Sequence, residues 1–353
     1  NIISMWKTSS VGKKIYLAKQ SEEITDVSFN HDGSKIATGG RDNTVKIWNT
    51  SDGKLELNYD GHNADVTALA WNPAEKKIAS GADDLVVKIW DAESGENYQQ
   101  LNAHINEIST IGWSNDGKEL ASIDKVKVFV WDIDIGYPKS IIHNKYPVYS
   151  IDFSPGGDSL AAGTDKDTFI WEISKVDLVK TYSQNNSGIS SISWHRNGKY
   201  LAEGDKRNNI IIWNLKKDEI FAQLKEHNND VDNLTWSPDG TKLASSSAGG
   251  IVIVWDFDQI LSAPEEISKT SKKIEIFPNP AGDFINISID QFENPLKAVI
   301  TDIFGNEIRS FSIDSDHYRL DVQSLSVGMY FLRIYDSFAP GNAVIVRKFV
   351  VRR

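Results

Sequence analysis

Apolar and polar residues alternate along this chain in runs too short for helices and closed by turn residues, the pattern of successive β-strands. Residues 65–101 show one unit. "DVTALAWNP" (65–73) alternates up to Pro73, "KKIASGA" (76–82) follows, and the acidic turn Asp83-Asp84 leads into "LVVKIW" (85–90). An outer fourth strand is expected near 96–101. Between the first two strands, successive units carry Asp32-Gly33, Asp116-Gly117, Asn197-Gly198 and Asp239-Gly240. Such pairs suit tight hairpins because both residues tolerate positive φ.

The units repeat. Trp6, Trp48, Trp90, Trp131, Trp171, Trp213 and Trp255 recur every 40 to 42 residues, and Phe29, Trp71, Trp113, Phe153, Trp194 and Trp236 precede them as a second ladder. A period in the low forties marks one supersecondary unit repeated around an axis. A four-stranded antiparallel sheet cannot bury both faces alone; radial packing of several buries both and leaves short, protected edges. Residues 2–6 already match the end of a unit and about 13–18 its outer strand, so the chain is expected to begin in mid-repeat, as a piece of a longer polypeptide.

These residues resemble the WD40 family. Gly61-His62, Ala103-His104 and Glu226-His227 stand at the family's "GH" position, and "KIWN" (46–49), "KIWD" (88–91), "VWD" (130–132) and "VWD" (254–256) at its closing "WD". The resemblance covers roughly residues 2–256 and implies an all-β WD40 β-propeller over 1–257, with six complete blades plus the outer strands of a seventh. It also implies that the rims bind proteins or peptides. His62, Ser80, Asp84 and Trp90 match the family's buried hydrogen-bond tetrad. Elsewhere Gln20 replaces the His, Arg207 and Gly249 the Asp, and Ala161 and Glu203 the Ser/Thr, so those blades are expected to rely on aromatic packing. Each buried Trp removes ~150–250 Å² from water, roughly 4–6 kcal/mol at most.

After Trp255-Asp256 the period stops. Residues 258–272 read as a polar linker, and 273–353 as a small Ig-like β-sandwich of about seven short strands without tryptophan. Gly305-Asn306 is a hairpin signal, and Pro278-Asn279-Pro280 breaks the first strand at an edge. "FPNPAGDFINI" (277–287), "VITDIFGNEI" (299–308), "DVQSLSVGMYFLRI" (321–334) and "VRKFVVRR" (346–353) resemble, in order and spacing, the type A C-terminal sorting domain of the type IX secretion system. Pro278, Asn279, Pro280, Gly305, Gly328, Tyr330, Arg347 and Lys348 carry that match. It implies export across the outer membrane of a Bacteroidota-type Gram-negative cell, with the type IX machinery as partner and a secreted or cell-surface destination. It further implies a Sec signal peptide upstream, and cleavage of the tail with anchoring on lipopolysaccharide.

Composition narrows the chemistry. There are no cysteines, which excludes disulfides, thiol nucleophiles and thiolate metal sites. From residue 272 onward ten Lys/Arg balance ten Asp/Glu, so the repeat region carries the whole net charge of −11. That argues against nucleic acid as partner, since phosphate binding rests on Lys/Arg neutralisation. No stretch approaches the ~18 apolar residues of a membrane span.

His, Ser and Asp together invite a catalytic-triad reading, but His62, Ser80 and Asp84 at this spacing tie a strand to a turn inside a blade. No histidines stand at metal-ligand spacing. Asp132-x-Asp134-x-Gly136 and Asp165-x-Asp167 lack the further ligands of a calcium loop and read as solvated turns. No catalytic residue, cofactor or metal is expected. Function is expected at the rim loops: Arg41, Asn63, Asp65, Asp83, Asn106, Tyr146, Asn228 and Asp230, with Tyr146 the aromatic anchor. The alternative is an accessory propeller of a larger secreted hydrolase or protease whose catalytic part lies upstream. A propeller enzyme using carboxylates around the channel is disfavoured by the lack of convergent His, Asp and Glu.

Overall fold

A computed structural model describes residues 2–6, 14–19, 22–183, 188–262, 274–278, 281–289, 295–301, 307–336 and 343–352. The chain divides into two units, Asn1–Trp255 and Asp256–Arg353. In the first, each repeat becomes one antiparallel sheet. The first sheet holds β3 (Ile24–Phe29), β4 (Lys35–Gly40), β5 (Val45–Asn49) and β6 (Leu55–Tyr59), and the second holds β7 (Val66–Trp71), β8 (Lys77–Ala82), β9 (Val87–Asp91) and β10 (Asn97–Leu101). The third is β11 (Thr110–Trp113), β12 (Glu119–Asp124), β13 (Lys127–Asp132) and β14 (Tyr137–His143). The fourth is β15 (Val148–Phe153), β16 (Ser159–Thr164), β17 (Asp167–Glu172) and β18 (Asp177–Ser183); the fifth is β19 (Ile189–Trp194), β20 (Tyr200–Asp205), β21 (Ile210–Asn214) and β22 (Glu219–Leu224).

The ends of the array differ. β1 (Ile2–Trp6) pairs with β2 (Lys14–Lys19) as a two-stranded sheet, and buried Ile3 packs on Ile36 and Trp48 of the first sheet. The sixth sheet has three strands, β23 (Val231–Trp236), β24 (Lys242–Ser247) and β25 (Ile251–Asp256), and is followed by a short helix, α1 (Phe257–Ser262). So among the described residues five sheets are complete, and the expected sixth is one outer strand short. The chain turns helical after Asp256 where the other units make a turn through one positive-φ residue: Gly53, Gly95, Gly136, Val176 and Asp218. The linker expected over 258–272 is described only to Ser262, where it is helical.

The cores lie between sheets rather than within them. Val87, Ile89 and Leu101 of the second sheet pack with Ile108, Leu120, Phe129 and Trp131 of the third, and the same layer recurs down the array. Inner strands pack in succession from β3 through β7, β11, β15 and β19 to β23. The second aromatic ladder stitches this succession. The indole N–H groups of Trp71, Trp113 and Trp236 donate to the carbonyls of Ser28, Ala70 and Ser193 in the preceding sheet, at 2.9, 3.0 and 3.1 Å. Hydroxyls of Thr25, Thr67 and Ser190 donate across the same interfaces to Val66, Ile108 and Val231. The ladder's first member differs: Phe29 is 52% exposed, and Val252 and Val254 of the sixth sheet are exposed where the matching Val45 and Ile47 are fully buried. Among the described residues the β1–β2 sheet covers Ile36 and Trp48 on that face of the first sheet, but no inner strand of the array precedes β3 and no sheet of the array follows β25.

The Asp-Gly and Asn-Gly pairs do not both take positive φ. Only the glycines do, at 70 to 74°. Each lies in a four-residue loop such as 31–34, closed by Gly33 N–H to Asn30 O, while the Asp32 carboxylate accepts the Ser34 N–H. The side chain before the glycine thus works as an acceptor rather than as a left-handed residue.

The second unit is a two-sheet sandwich. β26 (Ile274–Phe277), β27 (Phe284–Ile289) and β30 (His317–Asp321) form one sheet. β29 (Glu307–Ile313), β28 (Leu296–Thr301), β31 (Gly328–Asp336) and β32 (Ala343–Val351) form the other. Ile285, Ile287, Ala298, Ile300, Leu332 and Phe349 fill the layer between them.

Candidate functional site

The His-Ser-Asp constellation is interior. His62 Nε2 lies 2.7 Å from Ser80 Oγ and Nδ1 3.0 Å from Asp84 Oδ2, which also accepts the Asn63 N–H at 2.9 Å. Ser80 is fully buried, so no substrate reaches its hydroxyl. Burial lowers the His62 pKa and outweighs Asp84, keeping the ring neutral. At Asp84 burial opposes ionisation, but the Asn63 N–H and His62 prevail and hold its carboxyl below the usual range. The group ties the start of β7 to the β8–β9 turn.

Trp90, the expected fourth member, makes no hydrogen bond through Nε1. Its ring stacks instead on Tyr59 of the preceding sheet, with centroids 4.5 Å apart and planes 8° apart. Tyr182 meets Trp213 at the same spacing between the fourth and fifth sheets, and Trp213 Nε1 likewise has no aligned partner. Where the preceding outer strand supplies a tyrosine, stacking replaces the indole hydrogen bond.

The third sheet holds a set that sequence spacing did not reveal. His104 Nε2 lies 2.6 Å from Ser122 Oγ, Trp131 Nε1 donates to the same oxygen at 2.7 Å, and His104 Nδ1 faces Asp124 Oδ2 at 3.2 Å, though off the hydrogen-bond axis. Asp124 follows its serine by two residues rather than four because the β12–β13 turn is shorter. Trp48 to Thr38 and Trp255 to Ser245 repeat the indole bond. Strand register also corrects the fourth sheet: Leu160 pairs with Trp171 as Ile78 pairs with Trp90, so Ala162, not Ala161, stands at the Ser80 position. In the fifth sheet that position is Glu203; Gln20 lies outside the described residues.

The rim is defined by a backbone link from the second turn to the start of the same sheet that recurs in the first, second, fifth and sixth sheets. Arg41 N–H bonds Glu23 O, Asp83 N–H bonds Asp65 O, Lys206 N–H bonds Gly188 O and Ala248 N–H bonds Asp230 O. Arg41, Asn63, Asp65, Asp83 and Asp230 therefore share one end of the array, with Asn63, Asn228 and Asp230 exposed and Asn106 and Tyr146 half-buried. Arg41 Nε lies 3.3 Å from Glu23 and 3.8 Å from Asp65. Partial burial, then Glu107 and Asp65, raise the Asp83 pKa against the opposing Arg41. Tyr146 lies under Lys145 and Lys166, whose Nζ atoms are 5.3 and 5.4 Å from its ring. No cluster of metal-ligating side chains is found among the described residues. Asp132 instead accepts the Asp134 N–H of its own turn.

In the second unit Pro278 is exposed just beyond β26, while Asn279, Pro280 and Gly305 lie outside the described residues. Ala281 N–H bonds Val350 O and Arg352 N–H bonds Ala281 O, so the chain just after the first motif meets the last strand. Arg347 and Lys348 sit in β32 opposite Leu332 and Phe331, and Gly328 sits opposite Val351. Buried Tyr330 donates to Ser326 O at 2.8 Å and stacks on Phe349.

Comparison with known proteins agrees with these two architectures. Residues 275–352 match the secretion system C-terminal sorting domain. In the first unit, residues 137–172 match the WD domain, G-beta repeat. Residues 4–134 match the nucleolar protein 10-like N-terminal domain, and 169–263 the IFT140 first beta-propeller. A chain in the crystal structure of a mitotic checkpoint complex shares the fold, with a TM-score of 0.67 at 23% identity, over 72% of this chain and 81% of that one. No curated protein sequence matches the chain.

Proposed function

Because this chain joins a WD-repeat β-propeller to a type IX sorting domain, and so is exported to the surface or surroundings of a Bacteroidota cell, we propose that the propeller is an extracellular protein-binding scaffold that works through its rim. The observation that carries this reading is the common end of the sheets, where in the first, second, fifth and sixth sheets the second turn is fixed to the start of the same sheet by a backbone bond and in the third it is fixed to the start of the next sheet. A rigid stack thus presents polar loops of free composition on one face. Arg41, Asn63, Asp65, Asp83, Asn106, Tyr146, Asn228 and Asp230 are the contact residues of this reading. The His-Ser-Asp groups act inside the sheets, where they hold turns in place and leave the propeller to bind rather than catalyse.

The sorting domain serves as the partner of the type IX machinery through its first and last motifs, which the Ala281 bonds bring together. The domain limits supporting this division are 1–257 and 273–353. Pull-down with the full chain against the surface fraction of the producing cell is the test. Capture of a defined protein that is lost on D65N or N63A supports the reading. Capture indifferent to every rim substitution overturns it.

A further inference from the structure

Building on the reading of the rim as the binding face, we propose that its arc from the third to the fifth sheet is a docking site for an acidic peptide segment. Lys125 occupies the β12–β13 turn, and its carbonyl accepts the Val148 N–H at 2.7 Å, which brings it beside the start of β15. Lys145 and Tyr146 precede that strand and Tyr149 lies in it. Lys166 stands on the β16–β17 turn, and Lys206 and Arg207 on the β20–β21 turn. These two turns adjoin: a Cβ on Gly188 would come 3.3 Å from Lys206 Cδ and 3.4 Å from Asp165 Cα.

The arc is charged in a way the rest of the rim is not. Elsewhere the cation is spent, as Arg41 lies between Glu23 and Asp65 with Asp83 and Glu107 nearby. None of Lys125, Lys145, Lys166, Lys206 and Arg207 makes an ion pair among the described residues, although the chain carries a net −11 and Asp165 and Asp167 lie close in sequence. Three of the four lysines are instead held over aromatic rings. Lys145 and Lys166 flank Tyr146, and Lys206 Nζ is 4.3 Å from the Tyr149 ring centroid. A ring face under an ammonium limits its motion without neutralising it, leaving the charge ready for a carboxylate.

Charge complementarity and size select the occupant. The cations spread over three sheets, so an extended segment matches them better than a single ion. At physiological salt the screening length is ~8 Å, so a short acidic segment feels the arc rather than the acidic remainder. A long polyanion reaches beyond the arc onto Asp83 and Glu107 and is repelled there.

The test uses the full chain and fluorescein-labelled octaglutamate, followed by anisotropy at ~50 and ~150 mM salt. The expected result is saturable binding that K166E/K206E weakens at least tenfold and Y146A several-fold, while N63A changes it less than twofold. Unchanged tryptophan fluorescence confirms that the variants fold. Absence of saturable binding, or equal weakening by N63A, overturns the proposal. So does a heparin fragment that binds more tightly than octaglutamate, which would mark a general polyanion site. The pull-down separates this proposal from its premise. Capture lost on D65N or N63A but kept in K166E/K206E leaves the rim reading standing and sinks the acidic segment; capture that ignores all rim variants sinks the rim reading.

Discussion

Glu203 replaces a serine or threonine at the heart of the fifth sheet, and its environment predicts a specific dependence of stability on pH. It is 1% exposed; Thr168 Oγ1 donates to its Oε2 at 2.7 Å, and its Oε1 has no aligned partner. Burial pushes its pKa from 4.5 up to about 7, against the Thr168 hydrogen bond and the nearby but unaligned Trp213 indole N–H, and with help from the negative Asp205 and Asp167. The folded state therefore holds a proton that the unfolded chain releases between these two values. More protons bound in the folded state means that stability falls as pH rises across this window, and is flat below 4.5 and above 7. A rise of about 2.5 pKa units corresponds to about 3 kcal/mol, present in acid and lost by neutrality.

E203Q keeps the shape and removes the titration. Urea unfolding of both proteins, followed by tryptophan fluorescence, isolates the propeller because all eleven tryptophans lie at or before Trp255. The difference between the two curves cancels the other titrating groups, including Asp152 and Asp26, which burial raises to about 7 and about 6 while they accept the N–H groups of Trp194 and Leu69. From its value at pH ~4, that difference should move in favour of E203Q as pH rises, levelling off above pH ~7 after a change of about 3 kcal/mol. A difference independent of pH, or one moving the other way, refutes the reasoning.

Three further outcomes are expected in the same denaturation assay. S122A should cost about 2–4 kcal/mol and S80A about 1–2, because Ser122 serves both His104 and Trp131 whereas Ser80 serves His62 alone; equal losses would contradict the shared-oxygen geometry. G204A should cost about 1–3 kcal/mol, since the added Cβ would fall 2.6 Å from Val231 Cγ1, and V231A in the same chain should recover part of it. W236F keeps the ring but loses the bond to Ser193 O, at about 1–2 kcal/mol, and should exceed W194F, whose indole bonds Gly198 O in its own sheet at 3.3 Å.

The all-β ring and the sorting tail were legible because both are written in local patterns: a period for one, ordered motifs for the other. What escaped the sequence depends on relations between units. Trp90 looked like a hydrogen-bond donor because Ser80 lies at the right offset, but Tyr59, 31 residues earlier and one sheet away, captures its ring. The set at His104 was hidden by a shortened turn, which shifts Asp124 along the chain while leaving it in the same place in space. Ala161 was assigned by counting, and strand pairing moves the role to Ala162. Phe29 belongs to the ladder by spacing yet is exposed, since its burial depends on a preceding inner strand and none precedes β3 among the described residues.

These departures say how the array tolerates its own irregularity. Among the described residues only the second and third sheets gather His, Ser and Asp together, while every junction from the first sheet to the sixth has β-strands packed on each other. Stabilisation of that kind is additive between neighbours, so a weakened sheet is held by the two beside it. The fifth sheet shows the limit of this tolerance. A buried carboxyl at the Ser80 position is accommodated when protonated and costly when charged, because the packing that shields the sheet also removes the water a carboxylate needs. Rim turns lie outside these layers, and their side chains contact one another at the surface rather than the apolar core. Substitution at Arg41, Tyr146 or Lys166 should therefore cost the fold little, whereas Gly204, Ser122 and Trp236 cannot change without weakening it.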